Sequence, residues 1–317
     1  MAATVFVFGS INADTSYRVA ALPGAGETVI AASASSSPGG KGANQAIASA
    51  AAGAPTRLIG AVGTDVAATS LLEALGSRGV DTAAIAPRTG APTGSAVVYV
   101  DDAGENCIVV LSGANELLDA EVASSGLSSI GAGDVLVLQS EVPAHASRAA
   151  AAIARTAGAS VIWNAAPAPA SRSDLVGDVD LLVVNETELV QIARLLGIRG
   201  ATDEPETANL AGLLSATAAA LEADAICTLG AAGAIYVVAG SSGRVAAPKV
   251  RAVDTTAAGD TVVGYLAAHA QLPIVERLRL ATSAGALTVT RAGASSSIPQ
   301  LTDVEPMLVD LTERTPA

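Results

Sequence analysis

The chemistry in this sequence begins with a stretch of small residues around one aspartate, VDTTAAGDT from Val253 to Thr261. Residues 249–253 alternate polar and apolar side chains as a short strand does, and the apolar residues after the stretch recur at helical spacing. At such a strand-to-helix turn the first helical N–H groups lack partners, and small side chains let an anion approach them. Asp260, in the first turn, is placed to take a proton, so the stretch predicts phosphoryl transfer to a hydroxyl.

A structural role accounts for the same stretch when it is considered alone. An aspartate in the first turn of a helix is favoured by capping and by the helix dipole, and Gly-Asp turns are common. The stretch therefore indicates an active site only if motifs with compatible chemistry accompany it.

Two such motifs lie near the N-terminus. Asn12 and Asp14 follow a buried-type strand at residues 5–9, at the end of the strand where open α/β sheets bind ligands. A second motif, PGGKGANQA at residues 38–46, places glycines, a lysine and an asparagine at a helix start, where the backbone can approach a ligand closely. A polar turn and a capping loop are the structural alternatives, and the spacing of a Walker phosphate-binding loop is absent.

Farther along the chain, strands alternate regularly with helices. Asn185 and Glu188 have the spacing of a capping box at a helix start, which is a sufficient structural reason for both and also a place where phosphates bind. Thr302 and Glu305 have the same spacing and predict a cap for the last helix. The strands predicted in this half lie at residues 135–138, 160–163, 180–184, 225–229 and 235–238.

Two patches of pure β pattern interrupt this alternation. We expect residues 13–37 and 94–112 to pair as a small sheet over the site. The regular βα alternation in the rest of the chain predicts an α/β fold with a mostly parallel sheet.

Composition and charge restrict the class of protein. The 317 residues carry a net charge of −13, which argues against a nucleic-acid partner, because phosphate backbones need clustered Lys and Arg. We expect no membrane span, no signal peptide and a cytoplasmic location. Cys107 and Cys227 are expected to be buried reduced thiols, and neither His145 nor His269 has metal-ligand spacing.

In this order, the motifs resemble the ribokinase branch of the PfkB carbohydrate kinase family, and the resemblance runs nearly from end to end. The glycine-lysine stretch and the aspartate stretch together are specific for the family. The stretches that carry the resemblance are Gly9–Asp14, Pro23–Thr28, Gly39–Ala46, Gly104–Asn106, Asn185–Glu188, Thr228–Gly230 and Asp254–Asp260.

The resemblance implies a ribokinase-like three-layer sandwich at residues 1–317, with residues 13–37 and 94–112 as a β lid, and a homodimer that forms through this lid. It implies ATP-dependent phosphorylation of the 5-hydroxyl of D-ribose, with Asp260 as the base. The anion hole would be formed by Ala257, Ala258, Gly259 and Asp260. The residues implied to hold the pentose are Asn12, Asp14, Gly40, Lys41, Asn44 and Glu141, together with Asp260.

The resemblance also implies ATP, Mg²⁺ and K⁺ as cofactors. Glu188 would help to organise Mg²⁺ and its waters. The residues implied to lie along ATP are Asn185, Thr228, Leu229, Gly230, Ala231, Ala232, Gly233, Gly259 and Thr282. The residues implied to surround K⁺, several through carbonyl oxygens, are Asp254, Thr256, Thr288, Arg291, Gly293 and Ser297.

Two departures and two alternatives accompany this interpretation. Ala165 stands where the family usually has proline, and Thr282 stands where asparagine or histidine is common, which weakens the assignment on the nucleotide side. Another PfkB kinase, acting on deoxyribose, a nucleoside or a ketohexose, is the alternative within enzymes. With two Phe, one Trp and four Tyr, the chain offers little aromatic surface for a nucleoside base. A sugar or nucleotide sensor without catalytic activity is the alternative outside enzymes.

Overall fold

The computed structural model describes residues 3–201 and 209–313, and its strands form two sheets. In chain order the strands are β1 (Val5–Phe8), β2 (Asn12–Arg18), β3 (Ser33–Gly39), β4 (Thr56–Val62), β5 (Val80–Pro87), β6 (Gly94–Val100), β7 (Asn106–Leu111), β8 (Val135–Leu138), β9 (Ser160–Asn164), β10 (Leu181–Asn185), β11 (Asp224–Thr228), β12 (Ala234–Val238) and β13 (Ser241–Val245).

The main sheet contains nine of these strands in the order β13-β12-β11-β10-β9-β8-β1-β4-β5. Seven neighbouring strands of this sheet are parallel, namely β11, β10, β9, β8, β1, β4 and β5. The antiparallel strands β12 and β13 form one edge. The apolar sequences VFVF of β1 and VLVL of β8 are buried at every position, as parallel strands covered on both faces require. The predicted α/β class is confirmed.

Helices cover both faces of the main sheet, which makes three layers. The helices are α1 (Lys41–Ala51), α2 (Val66–Ser77), α3 (Ala120–Gly126), α4 (Ala144–Thr156), α5 (Glu186–Leu195), α6 (Leu210–Leu221), α7 (Ala258–Ala268), α8 (Ile274–Thr288) and α9 (Leu301–Glu313). Buried residues of α1, α2, α7, α8 and α9 share one apolar core, and those of α3 to α6 share a second core on the opposite face. Within the described residues, every helix is too short or too polar to cross a lipid bilayer.

The remaining strands form a small sheet in the order β3-β2-β6-β7. β2 and β6 pair in parallel, whereas β3 and β7 pair antiparallel to their neighbours. The two β patches of the sequence therefore meet in one sheet, as predicted. Asn12 and Asp14 belong to β2 and do not lie in a polar turn.

Three expectations about local structure were wrong. Residues 249–253 form no strand, and the N–H groups of Val253 and Asp254 instead donate to the carbonyl oxygen of Val289 after α8. Thr302 lies inside α9, where the carboxylate of Asp303 takes the capping role and accepts from the N–H of Gln300 at 3.3 Å. Cys107 is exposed on β7, whereas Cys227 is buried as expected, and both thiols are free.

Candidate active site

The carboxyl ends of the parallel strands bring the polar motifs of the sequence to one edge of the main sheet. Ser10 follows β1 and Glu141 follows β8 by a few residues, whereas Asn164, Asn185 and Thr228 are the last residues of β9, β10 and β11. Ligands of open α/β sheets bind at this edge, because the loops and helix starts that follow the strands converge there.

Asp260 lies in the first turn of α7 and is 6% exposed. Ala257 caps the helix with φ 60°, a left-handed conformation that costs a residue with a side chain about 1 kcal/mol or more and that clusters at functional sites. The N–H groups of this turn are the positive end of the helix dipole. That of Ala258 donates to the carbonyl oxygen of Thr255 at 3.4 Å, and Gly259 has no side chain to shield the turn. The arrangement expected from the sequence, a carboxylate beside a helix N-terminus, is present without the predicted strand before it.

Two amides of α1 hold the carboxylate of Asp260. The side-chain amide of Asn44 donates to Oδ2 at 3.0 Å, and that of Gln45 donates to Oδ1 at 2.9 Å. They reach it because α1 and α7 pack closely at Gly264, where a Cβ atom would lie 2.7 Å from the carbonyl oxygen of Gln45.

A cavity of about 230 Å³ opens in front of Asp260, between the start of α7 and the ends of β9 to β11. The negative charge of Asp260, followed by those of Glu141 and Glu188, raises the pKa of Lys41, although burial of the ammonium opposes this. Burial raises the pKa of Glu188, against the opposing effects of the Asn185 N–H and of Lys41. Lys41 is therefore charged at neutral pH and lies among three carboxylates.

The predicted capping box at the start of α5 is confirmed. The N–H of Glu188 donates to the side-chain oxygen of Asn185 at 2.8 Å, and the N–H of Asn185 donates to Glu188 Oε2 at 2.8 Å. Both residues also line the cavity in front of Asp260, so the structural role and the predicted ligand role coexist.

A second cavity, of about 590 Å³, lies beside the first, next to Asn12 and Glu141. Glu141 Oε2 accepts from the hydroxyl of Ser10 at 2.6 Å and from the N–H of Lys41 at 2.9 Å. The buried amide of Asn115 donates to Asn12 Oδ1 at 2.8 Å, so the side-chain N–H groups of Asn12 take no part in this hydrogen bond. Gly40 has φ 82°, a conformation that glycine adopts readily in such a turn.

Asp14 lies on β2 and forms no ion pair within the residues that the structure describes. Burial, and then the charge of Glu141, raise the pKa of its carboxyl from 3.8 to about 6. Within the described part of the chain, Asp14 Oδ1 is buried and accepts no hydrogen bond.

Of the residues implied for ATP and its metal, Asn185, Glu188, Thr228 and Gly259 line the first cavity, and the others lie outside it. Thr282 is buried in α8, and its hydroxyl donates to the carbonyl oxygen of Leu278 at 2.8 Å. Leu229 precedes a 3-10 turn, Gly230–Ala232, which Gly233 closes with φ 93°. The nucleotide contacts of these residues stay a prediction.

The segments implied for K⁺ meet beside the start of α7. Asp254 accepts the N–H and the hydroxyl of Thr256 on Oδ1, and the N–H of Gly293 at 2.9 Å on Oδ2. Although burial opposes ionisation, these donors hold the pKa of the Asp254 carboxyl below its usual value.

The side chains of the other three residues implied for K⁺ are engaged elsewhere. The buried hydroxyl of Thr288 donates to that of Thr261 at 3.0 Å, and the hydroxyl of Ser297 donates to the carbonyl oxygen of Ala294. Arg291 pairs with Asp303. These three residues would therefore contribute carbonyl oxygens to a cation and not side-chain groups.

Several site residues were not singled out from the sequence, although some lie inside the motifs. Gln45 and Ser10 belong to stretches that carry the family resemblance, so their position was a usable signal. Gln139, Asn164 and Asn115 are buried amides whose contacts form only when separate strand ends converge.

A buried carboxylate, a lysine and a helix N-terminus meet at the strand ends of a layered α/β sheet, an arrangement suited to a phosphotransferase. The family model of the pfkB family carbohydrate kinases matches residues 2–301. The chain therefore belongs to the pfkB family of carbohydrate kinases.

Known ribokinases are similar to the chain over almost all of its length. The ribokinase of Schizosaccharomyces pombe is 36% identical over 311 residues, which cover 95% of this chain and 96% of that protein. A ribokinase structure from Thermotoga maritima has a TM-score of 0.86 at 30% identity and covers 97% of this chain and 99% of its own. An Arabidopsis thaliana ribokinase, solved with ribose and ATP, has a TM-score of 0.83 at 30% identity, with coverages of 97% and 99%.

The raised pKa of the Asp14 carboxyl leads to a stability prediction. Since folding raises the pKa of this carboxyl to about 6, its ionisation disfavours the folded state. This cost is absent below the unfolded pKa near 3.8, grows as the pH rises from there to about 6, and is complete above that pH. The variant Asp14→Asn should therefore be more stable than the original protein at pH 8, by at most about 3 kcal/mol, with little difference near pH 4.

Urea unfolding of both proteins at pH 4, 6 and 8 measures this difference. Asp65→Asn is the control, because the Thr93 hydroxyl and N–H lower the pKa of Asp65 in the folded protein. Its substitution should cost stability at pH 8 and less near pH 4. A free energy of unfolding of Asp14→Asn that follows the original protein at every pH would contradict the prediction.

Proposed function

We propose that the protein phosphorylates D-ribose at O5 with ATP as the phosphoryl donor. The observation that carries this proposal is the placement of Asp260 in the first turn of α7, at the positive end of the helix dipole and in one cavity with Lys41. The similarity to ribokinases over nearly the whole chain supports ribose as the acceptor.

In the proposed reaction, Asp260 takes the proton of the ribose 5-hydroxyl. The bond from O5 to the γ-phosphorus forms while the bond from that phosphorus to the β,γ-bridging oxygen breaks, so ADP leaves with the electron pair. The charge on the transferring group lies next to the N–H groups of Ala258 and Gly259 and to the Lys41 ammonium. Removal of either contact raises the barrier, because these donors act on charge that develops in the transition state.

The acceptor would be held at the junction of the small sheet with α1. The carboxylates of Asp14 and Glu141 can accept hydrogen bonds from sugar hydroxyls, and Asn12 can donate to them. Within the described residues, Asp14 Oδ1 and Asn44 Oδ1 are buried without a hydrogen-bond partner, which fits groups that await a polar ligand. The small sheet would act as the lid that excludes water, a competing acceptor.

The nucleotide would lie along the ends of β10 and β11. Asn185 and Thr228 line the cavity in front of Asp260, and Leu229, Gly230, Ala231, Ala232, Gly233 and Thr282 would continue this side. Glu188 is suited to a hydrated Mg²⁺, because a carboxylate with two oxygens and few other ligands is the usual protein contribution to such a site. Bound with the nucleotide, Mg²⁺ supplies positive charge at the phosphoryl oxygens.

Other acceptors of the same family are the second candidate. Within the described residues, neither cavity has an aromatic side chain in its lining, which argues against a nucleoside base. Deoxyribose lacks one hydroxyl of ribose and a ketohexose has one carbon more, so an assay decides between these acceptors. A sensor without catalysis would have no use for a carboxylate fixed at an anion hole.

The test is a kinase assay over a panel of sugars with the protein and with Asp260→Asn. Ribose should give the highest kcat/KM, and the variant should lose about 10²–10⁴-fold in kcat, the range for loss of a general base. Binding of ribose by calorimetry should persist in the variant, since the amide keeps the shape of the carboxylate. Turnover within a few-fold of the original protein in a folded Asp260→Asn would remove Asp260 as the base.

We also propose that K⁺ binds between residues 254–256 and the loop at residues 291–297. These segments lie in direct contact through the Asp254–Gly293 hydrogen bond, and their oxygen donors are hard ligands suited to an alkali cation. The cation would fix the loop before α7, whose N–H groups form the anion hole, and so would act on turnover by preorganisation.

Turnover should therefore rise and saturate with KCl and respond much less to NaCl. The measurement is kcat in tetramethylammonium buffer at constant ionic strength. The variant Asp254→Ala should abolish the difference between the two salts, because it removes the one anionic group of the set. An equal response to both salts would remove the cation site and leave the kinase proposal intact.

A homodimer through the small sheet is the third part of the proposal. β7 is an edge strand on which Ile108, Val109, Val110 and Leu111 are 53–60% exposed, and unpaired apolar edges favour association. The variant Val109→Lys should sediment as a monomer, whereas Val66→Lys, at an exposed valine on α2, should keep the native mass. Equal masses for all three proteins would argue against this interface.

The cytoplasmic location and the one-domain organisation of residues 1–317 stay predictions.

A further inference from the structure

A chain of buried amides lies behind the carboxylate of Asp260. The amide nitrogen of Gln45, which is fully buried, donates to Asp260 Oδ1 at 2.9 Å and to Asn164 Oδ1 at 3.0 Å. The amide oxygen of Gln45 accepts from Gln139 Nε2 at 2.8 Å. Both N–H hydrogens and the oxygen of this amide are therefore engaged.

The orientation of the Gln45 amide is determined by its neighbours. Asn164 donates through Nδ2 to the carbonyl oxygen of Val183 at 3.1 Å, and a carbonyl oxygen can only accept. Asn164 must therefore present its own oxygen to Gln45. An ionised Asp260 also only accepts, so the nitrogen of Gln45 has to face both partners, and its oxygen has to face Gln139.

The row of hydrogen-bonded amides is anchored at the main sheet. Gln139 and Asn164 stand at the ends of neighbouring strands, β8 and β9, and Gln45 approaches them from α1. Gly9, at the end of β1, leaves the room that the Gln139 amide occupies, since a Cβ atom there would clash with Gln139 Oε1. The support of Asp260 thus comes from the rigid centre of the fold and not from a loop.

We infer that Gln45 is a positioning residue for Asp260, holding Oδ1 in the amide chain so that Oδ2 is the oxygen that takes the proton. The inference rests on the proposed kinase function. Oδ2 is the oxygen that Asn44 contacts, and Asn44 stands on the side of the predicted sugar contacts, whereas Oδ1 faces Gln45 and Asn164. Gln45 itself does not reach the reacting atoms.

Two effects follow from this arrangement. A fixed Oδ1 prevents rotation of the carboxylate about its Cβ–Cγ bond, and a displacement of about 1 Å at a reacting group can cost about 100-fold in rate. A donor to the charged form of a carboxylate also favours that form over the protonated one. Loss of the donor should therefore shift the acidic limb of the kcat–pH profile to higher pH.

The test compares Gln45→Met with Ser49→Ala. Methionine keeps the length of glutamine and removes its donors and its acceptor. Ser49 lies one turn along α1 and is equally buried, and its side chain makes no hydrogen bond within the described residues. Gln45→Met should lose about 10- to 100-fold in kcat, with KM for sugar and ATP within about threefold, as for an interaction made in the transition state. Ser49→Ala should match the original protein.

A second variant reaches the same amide from its other side. Gln139→Met removes the donor to Gln45, and Gln139 itself makes no hydrogen bond to Asp260 within the described residues. It should also lower kcat, by less than Gln45→Met, because the Gln45 amide keeps its two donor contacts but loses the third hydrogen bond that holds it in place. If Gln45→Met does not fold, this variant decides the matter, and an unchanged kcat in it overturns the inference.

Three results would overturn the inference in a folded Gln45→Met while the original protein remains active. They are a kcat within threefold of the original, an unmoved acidic limb, or a loss confined to the KM of the sugar. If the original protein phosphorylates no sugar, the proposed function has failed instead. A crystal structure of Gln45→Met then still applies, since a single unchanged orientation of the Asp260 carboxylate contradicts the positioning role.

Discussion

The site depends on the hydrogen bonds that α1 donates to the carboxylate of Asp260 on α7. Asn44 and Gln45 reach the two oxygens only because the helices approach closely at Gly264. The core on this face is rich in alanine, valine and leucine, and only 2% of the chain is aromatic, so small side chains allow this short spacing. A bulkier residue at the contact would separate the helices and leave a buried carboxylate without donors, a costly state.

The site is acidic in an acidic protein, although its substrates include a polyanion. Asp260, Glu141 and Glu188 surround Lys41 and raise the pKa of its ammonium, so the local cation is held firmly in its charged form. With 17 Lys and Arg against 30 Asp and Glu, the chain offers few cations to a phosphate group, and backbone N–H groups at helix starts are the other donors that can bind one.

Several buried polar atoms among and beside the predicted site residues have no hydrogen-bond partner. Within the described residues, Asp14 Oδ1, Asn44 Oδ1, Gln139 Oε1 and Ser140 Oγ are buried without hydrogen-bond partners. Each such group lowers the stability of the folded protein, and a hydrogen bond from a polar ligand offsets this cost. The raised pKa of Asp14 has the same origin, because desolvation is its largest cause. The desolvated carboxyl of Asp14 therefore costs the folded protein stability when it is ionised.

The sequence by itself determined the α/β class, the two β patches, the capping box at Asn185 and the placement of Asp260 in a helical first turn. These features depend on local periodicity and local hydrogen bonds, which a short window of sequence contains. Only the tertiary structure decided that residues 249–253 are held by Val289 and form no strand, and that Cys107 is exposed. It also revealed the amide chain of Gln45, Gln139 and Asn164, because these residues come from a helix and two strand ends far apart in sequence. Contacts of this kind follow from the packing of whole layers, and no local pattern encodes them.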